Sequence, residues 1–98
     1  MTALTRDETS EEMKDIPDWT HQAKTIVRTY KFDGFPKSIA FVNQIAKRAQ
    51  KLNHHPDIDI RFDHVTLVLT THDAGGLTET DFTLAEQCDE EFYTLSEA

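Results

Sequence analysis

Ninety-eight residues are enough for one compact domain and too few for two. The chain has a formal net charge of −8, 38% apolar residues and one cysteine, so the core is thin and an internal disulfide framework is excluded. No apolar run approaches the ~20 residues of a membrane span. The N-terminus lacks the apolar core of a signal peptide, so we expect a soluble, cytoplasmic protein.

The acidic residues are concentrated in the flanks of the chain. Residues 1–15 hold five acids and two bases, residues 86–98 hold five acids and no base, and residues 16–85 hold eight of each. The body is therefore neutral and has no basic face that would neutralise nucleic-acid phosphates. We expect one domain over 1–98, with an acidic N-terminal segment over 1–15 and an acidic tail over 93–98.

The first half of the chain predicts a helix, a strand and a second helix. A capping-box sequence at 5–8 opens a short helix that ends before Pro17, and alternating residues predict a strand over 26–32. Between 37 and 52, all apolar residues except Ala40 fall in an arc of roughly 160°. That arc is broader than packing on one sheet requires. Either the helix is deeply buried, or one of its sides also packs on a partner subunit. We favour the second interpretation because the chain is small.

The second half predicts two strands and a last helix. Pro56 follows the break at 53–55, after which Ile58, Ile60 and Phe62 alternate with charged residues as in a half-buried strand. Residues 64–71 predict a second strand, antiparallel across a tight turn. Residues 78–81 cap a final helix with a core face of Phe82, Ala85, Cys88, Phe92 and Leu95. The order predicts an α+β domain with helices on one face of an antiparallel sheet.

Four of the five histidines lie between residues 54 and 72. Imidazole exchanges protons near neutral pH, so these residues are candidates for acid–base chemistry. Pro56 favours extended backbone at His55, so His54 and His55 point to opposite faces and should have different roles. The alternatives are helix-end and surface positions, or a metal site. The spacing matches no compact zinc pattern, and Gly75-Gly76 is too short for a phosphate loop.

The ordered string is more specific than its parts. The sequence resembles the pterin-4a-carbinolamine dehydratase family over roughly residues 17–92. The resemblance rests on Asn-His-His-Pro at 53–56, Phe62, Thr-His-Asp-Ala-Gly-Gly at 71–76 and Asp81. The resemblance implies a four-stranded antiparallel sheet with about three helices on one face. It also implies homodimers through the sheet or homotetramers through the central helix. From the charge distribution and the lack of a long apolar run, we expect no direct contact with nucleic acid or membrane.

The resemblance further implies an enzyme, a 4a-hydroxytetrahydrobiopterin dehydratase. This hydro-lyase converts 4a-hydroxytetrahydropterin to quinonoid dihydropterin and water during tetrahydropterin recycling, without metal or redox cofactor. The implied catalytic residues are His54, His55 and His72, of which His54 and His72 are our candidates for proton transfer. The implied pterin-binding residues are the same histidines with Pro56, Thr71, Asp73 and Ala74. Asp81 matches the family aspartate, either as a helix cap or as a catalytic group.

Two residues depart from the family pattern. Gln50 stands where the family usually has an acid four positions before the first histidine, and its spacing predicts a contact with His54. Phe62 stands where tyrosine or tryptophan is usual, which keeps an aromatic wall and loses a polar donor. These departures leave open a non-catalytic alternative on the same scaffold, an interaction or assembly protein similar to a RuBisCO assembly factor or a transcriptional dimerisation cofactor.

Overall fold

The computed structural model describes residues 2–97, which form one antiparallel sheet with helices packed on one face. The strands lie in the spatial order β1-β2-β4-β3. In chain order the elements are α1 (Arg6–Met13), β1 (Thr20–Gln22), β2 (Thr25–Lys31), α2 (Phe35–Leu52), β3 (Asp57–Arg61), β4 (His64–Leu69) and α3 (Glu79–Glu97). A short 3₁₀ helix covers His72–Ala74. The α+β fold with a four-stranded antiparallel sheet is therefore confirmed.

The core lies between the central strands and the two long helices. Side chains alternate along β2 and β4, so that Ile26, Tyr30, Val65, Leu67 and Leu69 all point to the helices and are buried. The helices supply the other half of the core from apolar positions spaced three and four apart: Phe41, Ile45 and Ala49 from α2, and Phe82, Ala85 and Cys88 from α3. Burial also raises the pKa of the Cys88 thiol, so it stays protonated.

The N-terminal segment is docked on the fold. The predicted capping box is present: the Glu8 N–H donates to Thr5 Oγ1 (3.2 Å), and the Thr5 N–H donates to Glu8 Oε1 (2.8 Å). The Leu4 N–H donates to the Leu77 carbonyl at 2.7 Å, while Thr9 is buried. Over residues 2–15 the segment is therefore acidic on its outer side and attached to the core on its inner side.

The central helix is only partly covered by its own chain. It begins at Phe35 and ends at Leu52, and its C-cap, Asn53, has left-handed backbone (φ 51°). Its buried stripe is narrower than the predicted apolar arc: Ile39 and Val42 are half-buried, and Ala46 is exposed. Part of the arc thus faces solvent in the single chain.

The prediction that β3 is half-buried is wrong. Ile58 and Ile60 lie opposite Leu67 and Val65 and so share the helix-covered face, yet each is 38% exposed. The reason is position: β3 is an edge strand, and the helices pack over the centre of the sheet. Phe62 has left-handed backbone (φ 52°) in the turn between β3 and β4 and is 69% exposed.

The last helix, α3, extends beyond the apolar positions that were predicted for its core face. Phe82, Ala85 and Cys88 are buried as expected, and Phe92 and Leu95 are half-buried. Leu84 is also fully buried, which the pattern did not indicate. The helix continues to Glu97, so the predicted tail is helical over 93–97.

One buried carboxylate joins α3 to the sheet. Oδ1 of Asp89 accepts hydrogen bonds from Trp19 Nε1 (3.0 Å), Arg28 Nη1 (2.8 Å) and the Tyr30 hydroxyl (2.5 Å). The Asp89 and Arg28 side chains are 14% and 11% exposed. Burial, and then the bond to Asp89, raises the pKa of Tyr30 above its ordinary value of 10.0.

Among the described residues, no helix is both long and apolar enough to cross a membrane.

Candidate active site

The histidines of the sequence motif meet at one end of the sheet. His54 and His55 lie between the end of α2 and the start of β3, and His72 follows the end of β4. Because β3 and β4 are antiparallel, the start of one lies beside the end of the other. Together they line a pocket of about 300 Å³, with lining residues Asn53, His54, His55, Thr70, Thr71, His72 and Asp73. That volume is at the small end for ligand sites.

His54 is anchored to a buried carboxylate. Its Nε2 lies 2.5 Å from Oδ1 of Asp81, whose side chain is fully buried, while the His54 side chain is 14% exposed. The carboxylate accepts, so the Nε2 proton of His54 is the donor. In the neutral ring this leaves Nδ1 as the nitrogen with a free lone pair. Asp81 therefore fixes both the orientation and the tautomer of His54.

Asp81 also takes part in the cap of α3, which is one of the two roles that its motif suggested. Its Oδ2 accepts from the backbone N–H of Thr78 (2.9 Å), three residues earlier, and from the Thr71 hydroxyl (2.8 Å). The Thr71 and Thr78 hydroxyls bond each other at 2.9 Å. Thr78 also belongs to the site, although its sequence context predicted only a helix cap. Its spacing to Asp81 showed the cap, but nothing local showed that the cap would bond His54.

His55 has a different partner. Its ring is exposed, and its Nε2–H donates to Oε1 of Gln50 at 3.2 Å. The predicted contact between Gln50 and His54 is therefore wrong. Asn53 turns the chain out of the helix in left-handed conformation, which carries His54 toward α3 and leaves His55 beside Gln50. The two histidines have separate environments, in line with the extended backbone before Pro56.

The 71–76 loop presents His72 to the pocket. Thr71 and Gly76 pair as an isolated bridge, with the Thr71 N–H donating to the Gly76 carbonyl at 3.0 Å. Gly75, at φ 72°, takes the left-handed conformation that closes this loop after the 3₁₀ helix. His72 and Asp73 are exposed at the pocket, whereas Thr71 is 8% exposed and its hydroxyl points to Asp81.

Five of the candidate residues lie outside the lining: Gln50 and Asp81, which bond His55 and His54, and Pro56, Phe62 and Ala74. Pro56 and Ala74 adjoin it in the chain and are half-buried. Phe62 lies at the opposite end of β3 and β4, so the structure does not bring it to the histidines of its own chain. Within residues 2–97, no group of three or more His, Cys, Asp or Glu side chains is placed to hold a metal ion.

Known proteins of similar sequence and structure share one family. Residues 2–91 match the family model described as pterin 4 alpha carbinolamine dehydratase. A relative from Chloroflexus aurantiacus, named "Putative pterin-4-alpha-carbinolamine dehydratase", is 51% identical over 90 residues, which are 92% of this chain and 97% of the relative. A relative of the same name from Roseiflexus sp. strain RS-1 is 52% identical over 89 residues, 91% of this chain and 96% of the relative.

Two solved structures extend the comparison. A transcriptional coactivator/pterin dehydratase from Brucella melitensis superposes with a TM-score of 0.89 at 30% identity, covering 92% of this chain and 98% of the other. A pterin dehydratase-like RuBisCO assembly factor of the alpha-carboxysome has a TM-score of 0.66 over 76% of this chain and 89% of its own, and at 20% identity it shares the fold alone. By its sequence match over nearly the whole length and by its fold, the chain belongs to the pterin-4a-carbinolamine dehydratase family.

Proposed function

We propose that this protein is a 4a-hydroxytetrahydropterin dehydratase that acts by histidine acid–base catalysis in tetrahydropterin recycling. The observation that carries the proposal is the meeting of His54, His55 and His72 around one pocket, with His54 anchored to buried Asp81. Family membership supports the same reaction.

The proposed reaction needs two proton transfers. The N5 lone pair of the pterin forms a double bond to C4a while the C4a–O bond breaks. The departing oxygen takes a proton and leaves as water, and N5 gives up its own proton, so atoms and charge balance. We propose that His54 and His72 move these two protons and that His55 completes the catalytic set. General acid–base catalysis of this kind contributes typically ~10²–10⁴-fold, and the step itself calls for no metal or redox partner.

We propose that the pterin is bound by residues 54–56 and 71–74. His55, His72 and Asp73 offer exposed polar groups at the pocket. Pro56 and Ala74 belong to the proposed binding segments by the family resemblance. Tetrahydrobiopterin is our candidate substrate, and the cytoplasm our candidate compartment.

We also propose a homodimer or homotetramer. The support is apolar surface that the single chain leaves uncovered. Phe35 on α2 is 48% exposed, and Ile58 and Ile60 on the edge strand β3 are each 38% exposed. Half-buried Ile39 and Val42 and exposed Ala46 lie on the same side of α2 as Phe35, because they follow it by four, seven and eleven residues. The covering partner is a second copy of this chain.

A direct dehydration assay tests the proposed activity. Purified protein is mixed with freshly generated 4a-hydroxytetrahydropterin, and the appearance of quinonoid dihydropterin is followed against the uncatalysed reaction. We expect a rate that rises in proportion to protein concentration and falls in His54→Ala. A rate equal to the spontaneous background at every protein concentration contradicts the proposal.

The second candidate is a non-catalytic interaction or assembly protein. It is favoured by Gln50, which stands where the family usually has an acid and which bonds His55 without a charge. This candidate predicts no dehydration and no pterin binding by calorimetry. Saturable pterin binding with turnover excludes it.

A further inference from the structure

The anchor of His54 is itself held by two threonines. Asp81 is fully buried, and the hydroxyl-bearing residues around it, Thr71 and Thr78, are 8% and 4% exposed. The Thr71 hydroxyl lies 2.8 Å from Asp81 Oδ2 and 2.9 Å from the Thr78 hydroxyl. Three elements meet here, because His54 follows α2, Thr71 follows β4 and Thr78 precedes α3.

The directions of these hydrogen bonds follow from a count of protons. The Asp81 carboxylate can only accept, so the Thr71 hydroxyl donates its single proton to Oδ2. Thr71 therefore accepts in its bond with Thr78, and the Thr78 hydroxyl is the donor. The Thr78 N–H donates to Oδ2 of Asp81, and the His54 Nε2–H donates to Oδ1. Each polar proton of the cluster therefore has one acceptor.

This arrangement fixes the plane of the carboxylate. The Thr71 hydroxyl and the Thr78 N–H both donate to Oδ2, and this holds the carboxylate in one orientation. In that orientation Oδ1 faces Nε2 of His54. Without the Thr71 hydroxyl, the carboxylate is held on that side by a single backbone N–H and can rotate. Displacement of a catalytic group by even ~1 Å lowers rates substantially.

We propose that Thr71 and Thr78 are positioning residues for His54, acting through Asp81. Thr71 entered as a pterin-binding candidate by resemblance, but its hydroxyl is already used inside the fold. The proposal rests on the proposed dehydratase function for its effect on turnover. Its effect on the His54 ring is independent of that function and is measured without substrate.

The test compares Thr71→Val with Thr71→Ser. Valine keeps the shape and removes the hydroxyl, whereas serine keeps the hydroxyl. The matched control is Thr29→Val, because Thr29 and Thr66 form a similar hydroxyl pair (2.8 Å) on the exposed face of the sheet. Nitrogen-15 NMR of the imidazole reports the fraction of neutral His54 with its proton on Nε2. Steady-state kinetics report kcat and KM, and urea unfolding reports whether each variant is folded.

In the wild type we expect the Nε2–H form of His54 to dominate. Thr71→Val should reduce that fraction and lower kcat about tenfold, with KM within about twofold. Thr71→Ser should restore both values, and Thr29→Val should match the wild type in both. If Thr71→Val does not fold, Thr78→Val and Thr78→Ser provide the same comparison. The expected loss is smaller there, because both donors to Asp81 Oδ2, the Thr71 hydroxyl and the Thr78 N–H, remain.

The proposal is overturned if folded Thr71→Val retains the wild-type Nε2–H fraction. It is also overturned if serine fails to restore what valine removes, since shape and not the hydroxyl would then matter. Failure of the dehydratase assignment gives a different result: no turnover in any variant, with the His54 tautomer still responding to the loss of the Thr71 hydroxyl.

Discussion

The amide oxygen of Gln50 lies 3.2 Å from Nε2 of His55. The helical spacing of Gln50 and His54 predicts a different pair, and the left-handed Asn53 between them accounts for the change. The departure from the family pattern at position 50 therefore acts on the exposed histidine of the pair, while the buried histidine keeps its carboxylate, Asp81.

Gln50→Glu should give turnover equal to or faster than the wild type. A carboxylate beside His55 favours the protonated ring, so the limb of the pH–rate profile that His55 contributes should move upward by about one pH unit or less. The profile of kcat/KM measures this shift. Gln44→Glu, on the same helix and about 9 Å away along its axis, should leave the profile in place. An unchanged profile in Gln50→Glu contradicts a role for His55 in catalysis.

His72→Ala should lower kcat by about 100-fold or more, because His72 is proposed to transfer a proton. His64→Ala is the matched control: His64 is also exposed, but it lies at the turn end of β4 and bonds neighbouring Asp63. Both replacements are at exposed positions, so each should change the free energy of unfolding by less than about 0.5 kcal/mol. Equal losses of activity in the two variants would remove His72 from the proposed mechanism.

Asp89→Ala should destabilise the fold by about 3 kcal/mol, since it removes the close carboxylate of largely buried Arg28 and leaves only the exposed Asp18, 3.7 Å away. Asp59→Ala provides the comparison. Asp59 bonds Arg61 at 3.1 Å, but the two side chains are 53% and 82% exposed, so the loss should be about 0.5 kcal/mol or less. Urea unfolding followed by circular dichroism measures both. Similar losses would mean that burial does not govern the strength of the Asp89 cluster.

Alkaline pH should weaken the fold through Tyr30. Its pKa is raised by burial, so the folded chain keeps the phenol proton while the unfolded chain releases it near the ordinary pKa of 10.0. The contribution of Tyr30 is thus fully present below pH 10 and falls above it, by about 1.4 kcal/mol per pH unit. At pH 8, Tyr30→Phe should lower the free energy of unfolding by about 2 kcal/mol relative to the wild type, because the hydrogen bond to Asp89 is lost. That difference from the wild type should shrink above pH 10, and a constant difference would contradict the prediction.

Two neighbouring positions on α2 should separate folding from assembly. Ile45 is fully buried in the core, so Ile45→Glu should prevent folding. Ala46 is exposed in the single chain, so Ala46→Glu should fold and dissociate the proposed oligomer. Light scattering and circular dichroism measure the two outcomes, with Gln44→Glu as the control that stays assembled. A wild-type monomer at micromolar concentration would contradict the prediction.

The predictability of this fold differs from element to element. Periodicity and caps located the helices and the central strands, because α2 and β4 each have one buried face and local end signals. The exposure of β3 could not be predicted, since alternation shows which residues share a face but not whether anything covers that face. Ile58 and Ile60 have the pattern of core residues and an edge position.

The site was predictable as a set of residues and not as a set of bonds. The motif named His54, His55, His72 and Asp81, and all but Asp81 line one pocket. The pairings depended on the conformation of Asn53 and on the segment that joins β4 to α3. For this reason the spacing paired Gln50 with His54 instead of His55, and the hydrogen bond from Thr71 to Asp81 could not be predicted.

The hydrogen bond from Leu4 to Leu77 has a consequence for how the protein is made. It joins two segments that lie 73 residues apart in the chain, and the bond from Trp19 to Asp89 likewise spans 70 residues. Neither contact can form on a nascent chain until the later residue of each pair, Leu77 or Asp89, has been synthesised. Loop closures of this length slow folding. Asp81 follows His54 by 27 residues, so His54 acquires its partner only after the start of α3 has been synthesised.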